Sequence, residues 1–455
     1  MKIEASNLSS LATKLYTWSL VFEPLLFFVV GTGGQSTGVP PSLSKLLQFF
    51  VLLIFIFRVI TTKWTKLSNQ VSLVHINKFF LYYFSILLFS SLIGIVFLNS
   101  YEVNINNALN NQYQAPFLTN NYIRPFFDIF IIIYYYFYFI ILAKYHINTE
   151  QSVEYLFKCI VRTFYVVLVF GFIDLWFSLL GGDLIKRHIG ESIDVGFRFH
   201  SFAGEPRDAF VYLIFGGLIL IIYNANFVEI KFKKTTLIII IVALMLTQSF
   251  SGIFGIFIGG VLALCYFILN LNRKAFYFMG ISLAISYLIF YFSQYSVRIG
   301  MYVDSLSGLY NLLKTGQELP YLLKVQSVNF LPVWGLYNKL LDYNLIQFMF
   351  GSGFSSSAYY NMNYIGDLSF TNPHSQITRL LYEGGIFGTI LYLLFLTKPV
   401  LTFLKTLPVN LKNYSIFIFF MITGSSLSHR SLIPFILLGI ILAYNNVYRQ
   451  RIVLL

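Results

Sequence analysis

The sequence predicts an all-α polytopic membrane protein, with about twelve transmembrane helices and both termini on the cytoplasmic side. Three observations predict it. Of 455 residues, 57% are hydrophobic and only 11% are charged, too few polar side chains to cover a soluble protein of this length. Apolar runs of about 17–25 residues recur along the chain, and about 20 suffice to cross hydrocarbon as a helix. Lysine and arginine gather in alternate connections, as cytoplasmic loops retain positive charge.

Taken in order, the spans are expected at 15–31, 46–62, 79–98, 125–143, 159–180, 207–223, 235–248, 251–270, 275–293, 377–397, 412–427 and 432–447. Residues 1–14 show no small-residue cleavage site, so the first run reads as a retained span rather than a signal peptide. Starting inside, the inner connections hold Lys63 and Lys66, Lys144, KFKK at 231–234, NRK at 272–274, Lys398 and Lys405, and RQR at 449–451. Topology thus accounts for most of the net charge of +13, and no nucleic-acid partner is expected. Cys159 and Cys265 fall within or at the inner ends of spans, so no exported disulfide is expected, and there is no CxxC or Cys/His metal pattern.

The chain reads as one integral membrane domain, 1–455, with outer segments at 99–124, 181–206 and 294–376. The last is the large periplasmic loop and the one long enough for structure of its own. Within it, LPVWGLYNKLLDYNLIQFMF (331–350) has apolar residues at helical spacing and predicts a short helix near the membrane. GSGFSSSAYYNMNYIGD (351–367) predicts an irregular lid. No repeat or inverted repeat is visible, which counts against a transporter built from paired halves.

Several outer-facing spans begin alike, at Arg124-Pro125, GEPRD (204–208), NPHS (372–375) and Ser431 to Pro434. Proline alone is an ordinary helix start, since the N–H it lacks would be unpaired there anyway. The polar neighbours add chemistry: a helix N-terminus favours an anion such as phosphate and disfavours an imidazolium, so His374 is expected to stay neutral and able to accept a proton. On a helical wheel, Thr378, Leu381, Gly385 and Gly388 share a face with His374 while Glu383 points away. That smooth stripe suits either a neighbouring helix or a lipid chain.

DVGFRFHSFAGEPRDAF (194–210) concentrates Arg198, His200, Glu205 and Arg207 at the lip of the sixth span, and Arg298 follows the ninth. Arginines on the outer face run against the topology rule. Each alone fits a snorkelling interfacial residue; together they suit bidentate binding of phosphate. Acidic residues within spans are few, Glu23, Asp128 and Asp174, and each reads equally as a structural pairing or a functional group.

The ordered set TQSFSGIFG (247–255), Arg298, FMFGSGF (348–354) and HSQITRLLYEGGIFG (374–388) resembles the O-antigen ligase and polymerase superfamily. The resemblance covers roughly residues 195–395. It rests on a glycine pair closing a loop, a histidine, and a following helix with glutamate and spaced glycines. One departure is that Ser249, Phe250 and Ser251 stand where many members carry an arginine after the turn serine, which puts a phosphate contact there in doubt.

The resemblance implies a GT-C-like glycosyltransferase of the bacterial inner membrane, its active site facing the periplasm, working without metal or cofactor. Its expected partners are undecaprenyl-diphosphate-linked glycans, membrane lipid and, as a candidate, a chain-length regulator protein. A polymerase would move a growing glycan from undecaprenyl diphosphate to a lipid-linked repeat unit; an O-antigen ligase would move it to a lipid A core; a precursor flippase is the third reading. Arg198, Arg207 and Arg298 are the candidates for the diphosphate, and His374 for the base, with Glu205 second.

Overall fold

The computed structural model describes residues 2–25, 42–61, 77–96, 100, 123–180, 198–199, 201–203, 206–227, 234–247, 249–270, 331–365, 376–425 and 432–454. Isolated positions between 277 and 310 are also described. Helices dominate throughout, and there is no extended sheet among the described residues. They are α1 (Lys2–Phe22), α2 (Leu43–Thr61), α3 (Lys78–Val96), α4 (Ile123–His146), α5 (Glu150–Leu179), α6 (Pro206–Asn226), α7 (Lys234–Leu246) and α8 (Phe250–Leu269). After these come α9 (Leu331–Leu341), α10 (Leu345–Phe350), α11 (Ser356–Ile365), α12 (Gln376–Leu404), α13 (Val409–Ser425) and α14 (Ile433–Leu454). Six stretches, within α2 to α6 and α12, are long and apolar enough to cross a membrane, and α7, α8 and α14 carry shorter apolar segments. This is the architecture of a polytopic membrane protein.

Where the sequence boundaries shift, local chemistry gives the reason. The first helix ends at Phe22 rather than 31, because Pro24 disfavours a helical residue before it; Glu23 turns to meet Lys45 Nζ at 2.6 Å. The fifth starts nine residues early, at Glu150, where Thr149 and Ser152 form a capping box. Pro206 opens α6 as the expected first residue. The span expected at 275–293 lies mostly outside the described residues.

The fourth span is α-helical over Ile123–Tyr135, π-helical over Tyr136–Ile141 and α-helical again over Leu142–His146. Its aromatic residues form its contact with α1: Tyr16 OH donates to the Tyr138 carbonyl at 2.9 Å, and Ser19 Oγ and Tyr138 OH are 2.6 Å apart.

α3 and α12 pack antiparallel along their length. Phe80 meets Phe395 at 5.3 Å between ring centroids and Tyr83 meets Tyr392 at 5.2 Å. Further along, Leu87 and Ile86 lie against Gly384 and Gly388. Lys398 sits over the Phe79 ring at 5.0 Å, and Lys405 over Tyr266 at the end of α8. The basic residues therefore share one end of this pair, as expected for an odd-numbered and an even-numbered crossing, which run in opposite directions, and the acids and serines described next occupy the other. A neighbouring helix, not a lipid chain, covers the glycines at 384 and 388.

Two local expectations are corrected. The stretch 331–350 is two helices, broken at Asp342–Asn344, where Tyr343 takes a left-handed φ of 56°. The expected lid is largely the helix α11. Its Ser- and Asn-rich sequence has little helical preference of its own, but burial of Tyr359 and Met362 against Ile95, and the tilted contact of the Tyr360 and Tyr382 rings at 5.0 Å between centroids, favour the helix over the irregular chain.

Candidate functional site

The site begins at a break. α12 is interrupted at Gly385, with φ 62° and ψ −166°, and Gly351 after α10 adopts φ 86° and ψ −176°. Both conformations lie in a region open essentially to glycine alone. The two glycines face each other. A β-carbon on Gly351 would stand 2.2 Å from the Glu383 carbonyl oxygen, and one on Gly385 would stand 2.5 Å from the Gly351 nitrogen.

With the helix broken, the Tyr382 carbonyl accepts from Ser352 N–H and the Glu383 carbonyl from Gly353 N–H, both at 2.9 Å. The 351–355 loop is thus paired, backbone to backbone, with the first segment of α12. α3 holds the other side: Phe354 N–H donates to Ser91 Oγ at 2.9 Å, and Ser90 Oγ reaches the Glu383 carbonyl at 3.4 Å. The motifs FMFGSGF and YEGGIFG, distant in sequence, are one docked unit.

Within this unit Arg379 lies between two acids. Its Nε donates to Glu383 Oε1 and its Nη2 to Asp128 Oδ2, each at 2.9 Å. Each acceptor oxygen also receives a serine hydroxyl: Ser357 Oγ donates to Glu383 Oε1 at 2.6 Å, and Ser355 Oγ to Asp128 Oδ2. Side-chain exposure is 8% for Arg379, 3% for Glu383 and 14% for Asp128. Charges this buried persist only when paired and hydrogen-bonded. The same cluster corrects the helical-wheel expectation: the stripe does not run on past Gly385, and the face bearing Arg379 and Glu383 is buried.

A second polar feature lies around Arg198. Its Nε donates to the Thr247 carbonyl at 3.1 Å, and Phe199 N–H donates to the Leu246 carbonyl at 2.8 Å. Arg198 is therefore docked on the α7–α8 turn within TQSFSGIFG, where Ser249 caps α8 by accepting from Gly252 N–H at 3.2 Å. Phe199 anchors the segment, packed over Gly171 of α5.

Of the other expected site residues, His374, Glu205, Arg298 and also His200 lie outside the described residues. Arg207 is in the first turn of α6, and its side chain is likewise outside them. Sequence reasoning did not single out Arg379, Ser355 or Ser357. The available signal was Arg379 and Glu383 four residues apart at the start of an apolar run, since ionisable residues in a span are rare and need partners. For Asp128 and Glu23 the structure shows pairing, with Arg379 and Lys45 respectively. Among the described residues no group of three or more His, Cys, Asp or Glu could hold a metal ion.

Residues 235–393, just over a third of the chain, match the family model described as O-Antigen ligase. The matched segment runs from α7 into α12 and includes the turn under Arg198, the glycine loop, Arg379 and Glu383. It supports a place in the O-antigen ligase and polymerase superfamily and a role in surface-glycan transfer. No curated protein matches the chain significantly. No solved structure does so either.

Proposed function

We propose that this protein is a polysaccharide polymerase that transfers a growing glycan from undecaprenyl diphosphate to a lipid-linked repeat unit at the outer face of the cytoplasmic membrane. The observation that carries this reading is the coincidence of the family match with the docked glycine loop: the matched motifs pair with each other at the non-basic end of the α3–α12 pair. In the transfer, the anomeric C1–O bond to the diphosphate breaks and a bond from C1 to the acceptor hydroxyl oxygen forms. The hydroxyl proton passes to His374 as base, with Glu205 second, and undecaprenyl diphosphate leaves. Because diphosphate is already a good leaving group, the protein's work is to hold its charge and to orient the acceptor. Arg198, Arg207 and Arg298 hold the diphosphate.

The description of the matching family favours a second reading, an O-antigen ligase with the same donor and a lipid A core acceptor. Glycan analysis of a strain lacking the gene separates them. Loss of a polymerase leaves one repeat on the core; loss of a ligase leaves polymer on the carrier lipid; unchanged glycans contradict both.

A further inference from the structure

The network of Asp128, Arg379, Glu383, Ser355 and Ser357 has no assigned part in the transfer step. We infer that Asp128 of α4, outside the segment that matches the family, is a positioning residue for transfer that fixes the leading segment of α12 against the 351–357 loop. The inference rests on the functional reading above.

Three observations carry it. First, Asp128 Oδ2 receives both Arg379 Nη2 from α12 and Ser355 Oγ from the loop, so one carboxylate joins three separate segments. Glu383 lies on the same helix as its guanidinium partner, at i,i+4, and that ion pair by itself ties α12 to no other segment. Second, the segment held is the one that helix continuity does not hold. Gln376 to Gly384 precedes the break at Gly385, so side chains and the two backbone bonds from Ser352 and Gly353 must set its direction. Third, a buried cluster of two acids and one guanidinium is a poor stabiliser, because desolvation offsets most of the Coulomb gain and apolar packing would serve as well. What such a cluster supplies is one arrangement rather than several. His374, two positions before Gln376 in sequence, leads into that segment.

The choice of substitution matters. Asp128→Asn still accepts from Ser355 and leaves Arg379 paired one-to-one with Glu383, so the fold tolerates it. With the full chain purified into lipid nanodiscs and a lipid-linked repeat unit as donor, Asp128→Asn is expected to lower kcat by about 10²-fold, the effect of a misplaced reacting group. KM for the donor and the thermal unfolding midpoint should stay near wild type, and Asp128→Glu should recover part of kcat. In a His374→Gln background, Asp128→Asn should cause no further loss, as groups acting through one step are not additive. The inference is overturned if kcat is unchanged, if the loss tracks loss of folded protein, or if the two substitutions multiply. A wild-type protein that transfers no glycan overturns the functional reading, and this inference with it; transfer by wild type and Asp128→Asn alike overturns the inference alone.

Discussion

Gly353 donates its backbone N–H to the Glu383 carbonyl at 2.9 Å, pairing a loop with a membrane helix at the point where that helix breaks. A carbonyl buried away from water needs a partner within the protein, and Tyr382 and Glu383 are buried, so the docked loop satisfies the carbonyls that the break at Gly385 leaves open. The loop in turn depends on Gly351 and Gly385 having no side chains.

Gly385→Ala and Gly351→Ala are therefore expected to destabilise the protein, by about 1–3 kcal/mol from backbone strain alone, with the close contacts adding to it. Thermal unfolding in detergent measures this. A midpoint within one degree of wild type for both variants would show that the loop and the break are independent.

Arg379→Gln removes a guanidinium shared by two carboxylates, that of Glu383 being buried and that of Asp128 14% exposed. Leaving such charges unpaired costs about 3–5 kcal/mol, so the yield of folded protein should fall well below that of Asp128→Asn. Arg379→Lys should be intermediate, because a point charge cannot address both acids as the planar fork does. Equal yields for all three would remove the ion cluster from the folding energetics.

Arg198→Ala and Arg298→Ala are expected to abolish polymerisation while membrane levels stay near normal, with Lys rescuing only partly. For Arg198 the bond from Nε to the Thr247 carbonyl fixes the side chain on the α7–α8 turn within the matched segment. Full activity in both Ala variants excludes them from diphosphate binding.

The loop between 294 and 376 is expected on the periplasmic side. Within it Tyr343 is 89% exposed. Tyr343→Cys, in a background with Cys159 and Cys265 replaced by serine, should react with an impermeant thiol reagent on intact spheroplasts. Labelling only after lysis would invert the topology.

Much of the fold was legible because unbroken apolar runs such as those of α2, α3, α6 and α8 admit one structure in a bilayer. The ends were less so. Pro24 stopped α1 inside an apolar run, and a capping box extended α5 through polar residues. α11 was illegible, since its serines and asparagines locally favour a turn and only packing against Ile95 and Tyr382 makes it a helix. At the site, the two glycine motifs were recognisable only as members of an ordered set through the family resemblance; that they pair, each accommodating the other's backbone, came from the structure. The ion cluster was not recognisable, because Asp128 and Arg379 are 251 positions apart, and no local periodicity links a single acid in one span to a single base in another.

The most direct test of the account is transfer by purified His374→Gln. Glutamine keeps hydrogen-bonding capacity but accepts no proton at neutral pH, and loss of a general base lowers turnover by about 10²- to 10⁴-fold. With labelled lipid-linked repeat units in nanodiscs, wild type should lengthen the glycan and release undecaprenyl diphosphate. The variant should bind the labelled donor with unchanged affinity and lengthen it at no more than a hundredth of that rate. Normal lengthening by the variant, or loss of donor binding along with transfer, would contradict the account.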